Sequence, residues 1–547
     1  MRKKIVVILV MTLLIGTTLS VNGINEEKQI NNVTSTASLS QPPEVEWSKT
    51  YGESEYECIW GIEETKDGGY IACGVKEESD SYYGWLFKID SNGNEEWEVV
   101  NYDLNGTVDG WNADTVAFNF VIQTSDGGYL ISGVSELNIE GYGYFPTCFL
   151  LKVDSVGTTE WLKRYYDVDK KIDYRLQGII ELSDGYVTCG MYFNDFFQDL
   201  ENIDVDAMFM KTDFSGNIVW EKIYGYEEND DTLFGFSPTN DNGYILSGWR
   251  YVGETENDFR CWMVKTDEIG NIEWENTYGT DYASDWSGSR KCIQTSDGGY
   301  IMAGITWSYG NVGHGDVYII KTDSDGNQEW FETFGEDKEY DICWDLDITD
   351  DGGFIFCVTK NMHGTFTERS DIWVIKTDDN CNVQWTQEIG ENGAEGGHDI
   401  LGTSDGGYIV TGHTGKKPFF EGDEETDGII VKIAPDKPME TPSLNVVKPK
   451  SGWIYLFDMI GLPLFIVPST YVIGDLTFEA EASDPAGIDK VEFFIDGVCV
   501  GESSDPPFTY EWVIENNPSL KAFDIKIRAS NSYGGTVKEE QVVQRLL

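Results

Sequence analysis

The sequence predicts an all-β chain, a seven-bladed β-propeller followed by an immunoglobulin-like β-sandwich. Three observations predict it. A turn recurs seven times, as DGGY at Asp67, Asp126, Asp297 and Asp405, DGGF at Asp351, DNGY at Asp241 and a shortened DGY at Asp184, at steps of 54 to 59 residues. A lysine keeps step with it at the end of an apolar run (Lys88, Lys152, Lys211, Lys265, Lys321, Lys376, Lys432), and so does a tryptophan that reads as opening each copy (Trp47, Trp97, Trp161, Trp220, Trp274, Trp330, Trp385). After the seventh copy the repeat stops, and seven short runs, several of them clearly alternating and KVEFFIDGVCV from Lys490 read as one strand among them, take its place.

The unit from Ile293 to Trp330 shows why each copy is a sheet. Its apolar and β-branched runs are short, and Asp297-Gly298-Gly299 and Asp325-Gly326-Asn327 supply the positive-φ positions of tight reversals. The pattern reads strand, turn, strand, long loop, strand, turn and the start of a fourth strand. One such sheet cannot bury its own faces. Four strands in each of seven repeats is the arithmetic of a propeller. A solenoid would need atypical capping units, whereas the first and last copies here look like the middle ones.

In chain order, residues 1–23 have a basic start, an apolar run and small residues, the form of a secretory signal peptide. Residues 24–43 are a polar leader, 44–436 the propeller, 437–442 a proline-marked linker, and 443–547 the Ig-like domain. The apolar region from Trp453 to Gly474 is interrupted by Asp458, Pro463 and Pro468, so no membrane span is expected in the mature chain. The expected location is extracellular or at the cell surface. A formal charge of −58, from 38 Lys plus Arg against 96 Asp plus Glu, argues against a nucleic-acid partner.

Ten cysteines in an exported chain invite a disulfide framework. The repeat alignment argues against it for half of them. Cys73, Cys189 and Cys357 share a column with Ser132, Ser247, Ala303 and Thr411, and Cys148 and Cys261 share one with Gly84, Ala207 and Val317, so they read as small apolar fillers. Cys381 stands where the sibling turns have glycine.

If the strands alternate in direction, the DGGY turns and the turns before each tryptophan lie on one face, and the longer, variable connections lie on the other. Binding on a repeated scaffold is expected at the variable loops. The ligand-binding candidates there are aromatic: Tyr82, Tyr83, Tyr144, Phe197, Trp249, Tyr251, Trp307, Tyr309, Phe366 and Phe420. Such rings suit sugar C–H faces or a protein partner, and they can equally fold back to cover the sheets. The seven tryptophans and seven lysines are read as structural, each lysine pairing with a turn aspartate.

Asp323, Asp325 and Asn327 resemble the first half of a calcium loop without its closing glutamate; they read first as a turn, no cofactor is expected, and calcium is the alternative. The histidines His314, His363, His398 and His413 all fall in the last three copies, as a shared transition-metal site or as unrelated loop residues. Acids in the loops, such as Asp109, Asp114, Asp230, Asp231, Asp285 and Asp341, could furnish a glycosidase pair. Bracing of the loops explains them as well. No nucleophile motif or phosphate-binding glycine loop is present.

The repeats, of the form W…YG…T.DGGYI..G…D.W.IKTD..GN..W, resemble those of secreted archaeal and bacterial β-propeller proteins. The segments ASDPAGIDKVEFFIDG, DPPFTYEW and FDIKIRASNSYGG resemble the Ig-like modules often appended to such proteins. The resemblance implies the fold and export and supplies no catalytic residues. The sequence thus points to an exported protein binding glycan or protein through one propeller face, with a carbohydrate-active enzyme or a structural envelope component as alternatives. Ligand and oligomeric state are not legible.

Overall fold

The computed structural model describes residues 41–545 apart from connecting stretches, the longest being 101–115, 195–203, 307–314, 363–369, 416–425, 464–469 and 514–520. The expected signal peptide and most of the leader fall outside the described residues. Those described form strands, almost all paired antiparallel, with no helix among them. They divide into two compact units, Pro43–Pro435 and Asp436–Leu547.

In the first unit one sheet pattern repeats. The strands Glu57–Glu64, Tyr70–Glu78, Ser81–Ile89 and Glu95–Val100 pair in chain order, and equivalent sets begin at Val116, Ile172, Asp231, Cys292 and Tyr340. The final set, Gly396–Gly402, Tyr408–Gly415 and Thr426–Ile433, is completed by Val45–Tyr51 from the start of the described chain. The tryptophan strand therefore closes a sheet instead of opening one. Trp97 pairs with Lys88 across a tight turn, whereas the connection following a tryptophan strand leads on to the next sheet.

The turns explain themselves sterically. In Asp67-Gly68-Gly69 the first glycine has φ +81°, and a Cβ on the second would lie 2.4 Å from both the Ile89 carbonyl oxygen and Lys88 Nζ. Asn242 takes the first place with φ 67°, and the shortened copy deletes that place while keeping Gly185, whose Cβ would meet the Thr212 oxygen at 1.9 Å. The second glycine is what the fold cannot replace. Cys381, at φ 62°, does adopt the turn conformation of its sibling glycines, and its side chain is buried in the core cluster that Trp330 flanks.

Six of the seven repeat lysines are buried beneath a turn, and Lys211, half-buried, pairs with Asp184 at 2.7 Å. Lys321, 3% exposed, contacts Asp297 and Glu329 at 2.9 Å each and donates to the Thr322 oxygen. Lys88, Lys152 and Lys265 do the same with Asp67 and Glu96, Asp126 and Glu160, and Asp241 and Glu273. Partial burial alone would raise the turn aspartates. Bonds from the neighbouring threonine, the second glycine amide and the lysine outweigh it and bring Asp67, Asp126, Asp241 and Asp297 to about 2.

Adjacent sheets share cores. One core cluster joins Ile301, Val317 and Ile319 to Leu346, Phe356 and Ile375, and another joins Ile59, Trp85 and Phe87 of the first sheet to Ile409 and Ile430 of the last. At the edges the tryptophans reach the next sheet's turn tyrosine, with ring centroids 5.9 Å apart for Trp97 and Tyr129 and 5.5 Å for Trp274 and Tyr300. Tyr51, Tyr165, Tyr224 and Tyr278 donate across the same boundaries to turn glycine oxygens at 2.7–2.8 Å.

None of the ten cysteines is disulfide-bonded; nine are buried, and Cys499 is exposed. In the C-terminal unit a three-stranded sheet (Ser443–Lys448, Leu476–Ser483, Phe508–Trp512) shares a core with a second, larger sheet through Phe478, Phe493, Ile527 and Val543. The run KVEFFIDGVCV, expected as one strand, is a hairpin, because Asp496 and Gly497 (φ 48° and 82°) form its turn.

Two outcomes follow. Trp385, 2% exposed, should cost about 3–5 kcal/mol in denaturant unfolding when replaced by alanine, and half-buried Trp47 less. The depressed aspartates contribute stability above their unfolded value of 3.8 that is lost as pH falls through about 2. Asp297→Asn should therefore lower the melting temperature at pH 6 and differ little from the parent near pH 2.

Candidate functional site

The structure places the aromatic candidates unevenly. Phe197, Trp307, Tyr309, Phe366 and Phe420 lie outside the described residues, and Tyr144 is on the strand Gly143–Val153. Tyr82 and Tyr83 are half-buried on the strand Ser81–Ile89, with Tyr82 edge-on to Tyr56 at 5.9 Å. Trp249 is a correction: it sits in the strand Tyr244–Tyr251, 8% exposed, its ring edge-on to Phe259 at 4.5 Å. The longer-than-expected strand turns it inward as cover for its sheet. Half-buried Tyr251 packs on the same phenylalanine.

The DSDGN loop is built as a turn. Asp323 Oδ1 accepts from the Asp325 and Asn327 amides at 2.9 Å, and Asn327 Nδ2 donates to Oδ2. Asp90, Asp213, Asp267 and Asp378 repeat this arrangement.

Several acids of the opposite end are buried braces. Asp231 pairs with Arg250 at 3.2 Å, and Asp173 with Arg175. They come in pairs around a glycine following the tryptophan strand. A Cβ on Gly225 would meet Asp206 and Asp231, one on Gly335 would meet Asp316 and Asp341, and one on Gly390 would meet Asp371 and Glu395. Sequence reading singled out Asp231 and Asp341 but missed their partners Asp206 and Asp316 and the whole Asp371 and Glu395 pair, although the aspartate recurs in the D.W.IKTD pattern.

A second charged group lies on the first strands of the sheets. Lys291 Nζ is 3.2 Å from Asp345 Oδ2 and donates to the Ile400 oxygen. Burial would lower its pKa, but Asp345, Asp347 and Asp399 raise it well above the ordinary value. Nearby Glu63 is pushed up to about 7, chiefly by burial, against the Gln123 amide that bonds it at 2.9 Å. A carboxyl titrating there can hold or release a proton at neutral pH.

Two of the four histidines meet. His398 Nε2 lies 2.9 Å from His413 Nδ1 and 3.5 Å from the Sγ of Cys58, and all three residues are buried. His314 and His363 lie outside the described residues. Cys58 was not read as a site residue, and only its neighbours across the first-to-last sheet boundary reveal it.

Residues 467–537 match the bacterial Ig domain family. The C-terminal unit is Ig-like in this sense. No curated protein matches the chain. Among solved structures it is similar to a fibronectin(III)-like module of CbhA from Clostridium thermocellum (20% identity, 19% of this chain and 96% of that one, TM-score 0.14). It is also similar to Sqt1 from Chaetomium thermophilum (10%, 70% and 97%, TM-score 0.35) and to an α-L-arabinanase from Penicillium chrysogenum complexed with arabinobiose (12%, 60% and 98%, TM-score 0.38). No helix among the described residues is long and apolar enough to cross a membrane.

Glu63 yields a pH test. Between pH about 4.5 and 7 the folded chain holds a proton on it that the unfolded chain has released, so its contribution to stability falls as pH rises through that window. Glu63→Gln keeps an acceptor for the Gln123 amide. Denaturant unfolding should find it more stable than the parent at pH 8, with the difference gone below pH 4.5.

Proposed function

We propose that the chain is an exported binding protein, located outside the cell or at its surface, in which a seven-bladed propeller over residues 44–436 takes a glycan or protein partner and the Ig-like domain over 443–547 forms the tail. The repeated sheet order, the cores shared between neighbours and the first-to-last pairing of Val45–Tyr51 with Thr426–Ile433 support the propeller. The signal-like residues 1–23 and the bacterial Ig match support export.

One observation carries the binding reading. The lysine, aspartate, threonine and glycine lattice recurs at one end of the sheets, while residues at the other end change from sheet to sheet. A scaffold that holds one end constant is free to vary the other. Tyr82, Tyr83 and Tyr251 are the described aromatic candidates on that end. Glu63, titrating near 7, keeps a carbohydrate-active enzyme as the second reading.

The test is a pull-down of the mature chain on a panel of insoluble polysaccharides, with reducing ends assayed in the supernatant, in calcium and in EDTA. Retention without new reducing ends is expected. New reducing ends would replace the binder by an enzyme, and retention only in calcium would add a cation to the bound state. If nothing is retained, the sugar reading fails and a protein ligand takes its place.

A further inference from the structure

Cys58, His398 and His413 bring one sulfur and two imidazole nitrogens to a single point at the boundary between the first and last sheets. Cys58 is fully buried, His398 7% exposed and His413 6% exposed, and their ligand atoms all lie within 4.8 Å of one another. With bonds of about 2.3 Å to sulfur and 2.0–2.1 Å to nitrogen, a tetrahedral site has a sulfur–nitrogen edge of about 3.5 Å and a nitrogen–nitrogen edge of about 3.3 Å. The observed separations are 3.5 Å and 2.9 Å, so the first fits as it stands and the second opens slightly on loading.

The repeat shows that the fold does not need these side chains. The place of His413 is taken by Val75, Val134, Met191, Trp249, Ile305 and Thr359 in the other sheets. His398 is the extra residue of a β-bulge between Gly397 and Asp399, and the same bulge holds Trp60, Asn119, Gln177, Phe234 and Trp344 elsewhere. Bulges re-aim a side chain, and this one turns an imidazole toward Cys58. The place of Cys58 in the last sheet is Gly396. A Cβ there would lie 2.3 Å from His413 Cε1, so the glycine makes room for the second imidazole.

We infer that Cys58, His398 and His413 form a binding site for a thiophilic transition-metal ion, zinc or copper, that clamps the first sheet to the last. One thiolate with two imidazoles is a donor set both ions accept, and three protein ligands leave a further position open. Because two ligands come from residues some 340 positions from the third, an unfolded chain does not present the set, and binding stabilises the closed arrangement by mass action. This inference is independent of the partner proposed above.

The experiment uses the chelator-treated mature chain titrated with Co2+ as a spectroscopic probe, then challenged with Zn2+ and with Cu+. One equivalent of Co2+ should give a thiolate-to-cobalt charge-transfer band and raise the melting temperature, and the competitor that displaces it at the lower concentration names the ion. Cys58→Ser and His413→Val should each weaken binding at least tenfold and remove the thermal shift, whereas Cys73→Ser should change neither. If Cys58→Ser does not fold, His413→Val decides alone, since valine already occupies that place in the first two sheets. Absence of the band in the parent, or affinity unchanged in His413→Val, overturns the site.

Discussion

The lysine beneath each turn, buried in six of the seven copies, is the contact on which the N-terminal unit depends. An ammonium taken out of water must be fully paired or it destabilises its surroundings. At Lys376, fully buried, the partners are Asp351 at 2.8 Å, the Thr377 carbonyl and the Gln384 amide oxygen. Those groups come from a turn, the lysine's own strand and the tryptophan strand. Pairing one charge therefore fixes where three strands end. The glycine over the ammonium follows from the same geometry, since any Cβ at Gly353 would press on the Thr377 oxygen at 2.1 Å.

From that node the order extends outward. The tryptophan strand it anchors carries the ring that meets the next sheet's turn tyrosine, and four residues on, in four of the sheets, a tyrosine hydroxyl reaches the next turn glycine. Each sheet thus positions its neighbour. The last sheet takes Val45–Tyr51 as its fourth strand, so Trp47 contacts Tyr70 as Trp97, Trp161, Trp274 and Trp385 contact their own turn tyrosines.

Because the node uses three residue types at fixed spacing, the sequence showed it plainly. The phase of the repeat was not legible: a period says how often a strand recurs but not which neighbour it bonds, and the tryptophan strand bonds backward. The Asp496-Gly497 turn was an ordinary Asp-Gly hairpin signal, read through because the apolar residues resume directly after it. The site was legible only in part. His398 and His413 stood out as rare residues in late copies, but Cys58 was among the cysteines that the repeat columns left unassigned, and only the fold brings position 58 beside 398. Trp249 looked like a loop aromatic because the strand bearing it runs further than its apolar pattern suggested.

Departures from the repeat are more informative than the repeat itself, since a column kept for packing should hold similar residues in every sheet. In the first strands, the register gives one column as Gly61, Phe120, Gly178 and Gly235, then Lys291, Asp345 and Asp399. Charge enters only in the last three sheets, and there it is mutually satisfied: Lys291 meets Asp345, and Asp399 accepts from the Ile62 amide of the first sheet at 3.0 Å. The Cys58, His398 and His413 cluster breaks its columns at the same boundary. Asp399 of the charged column and the Cys58, His398 and His413 cluster thus both lie where the last sheet meets the first. Packing alone fills the Asp399 place with glycine in three sheets and the His413 place with apolar side chains in five, so charge and imidazole there answer to something other than the sheet.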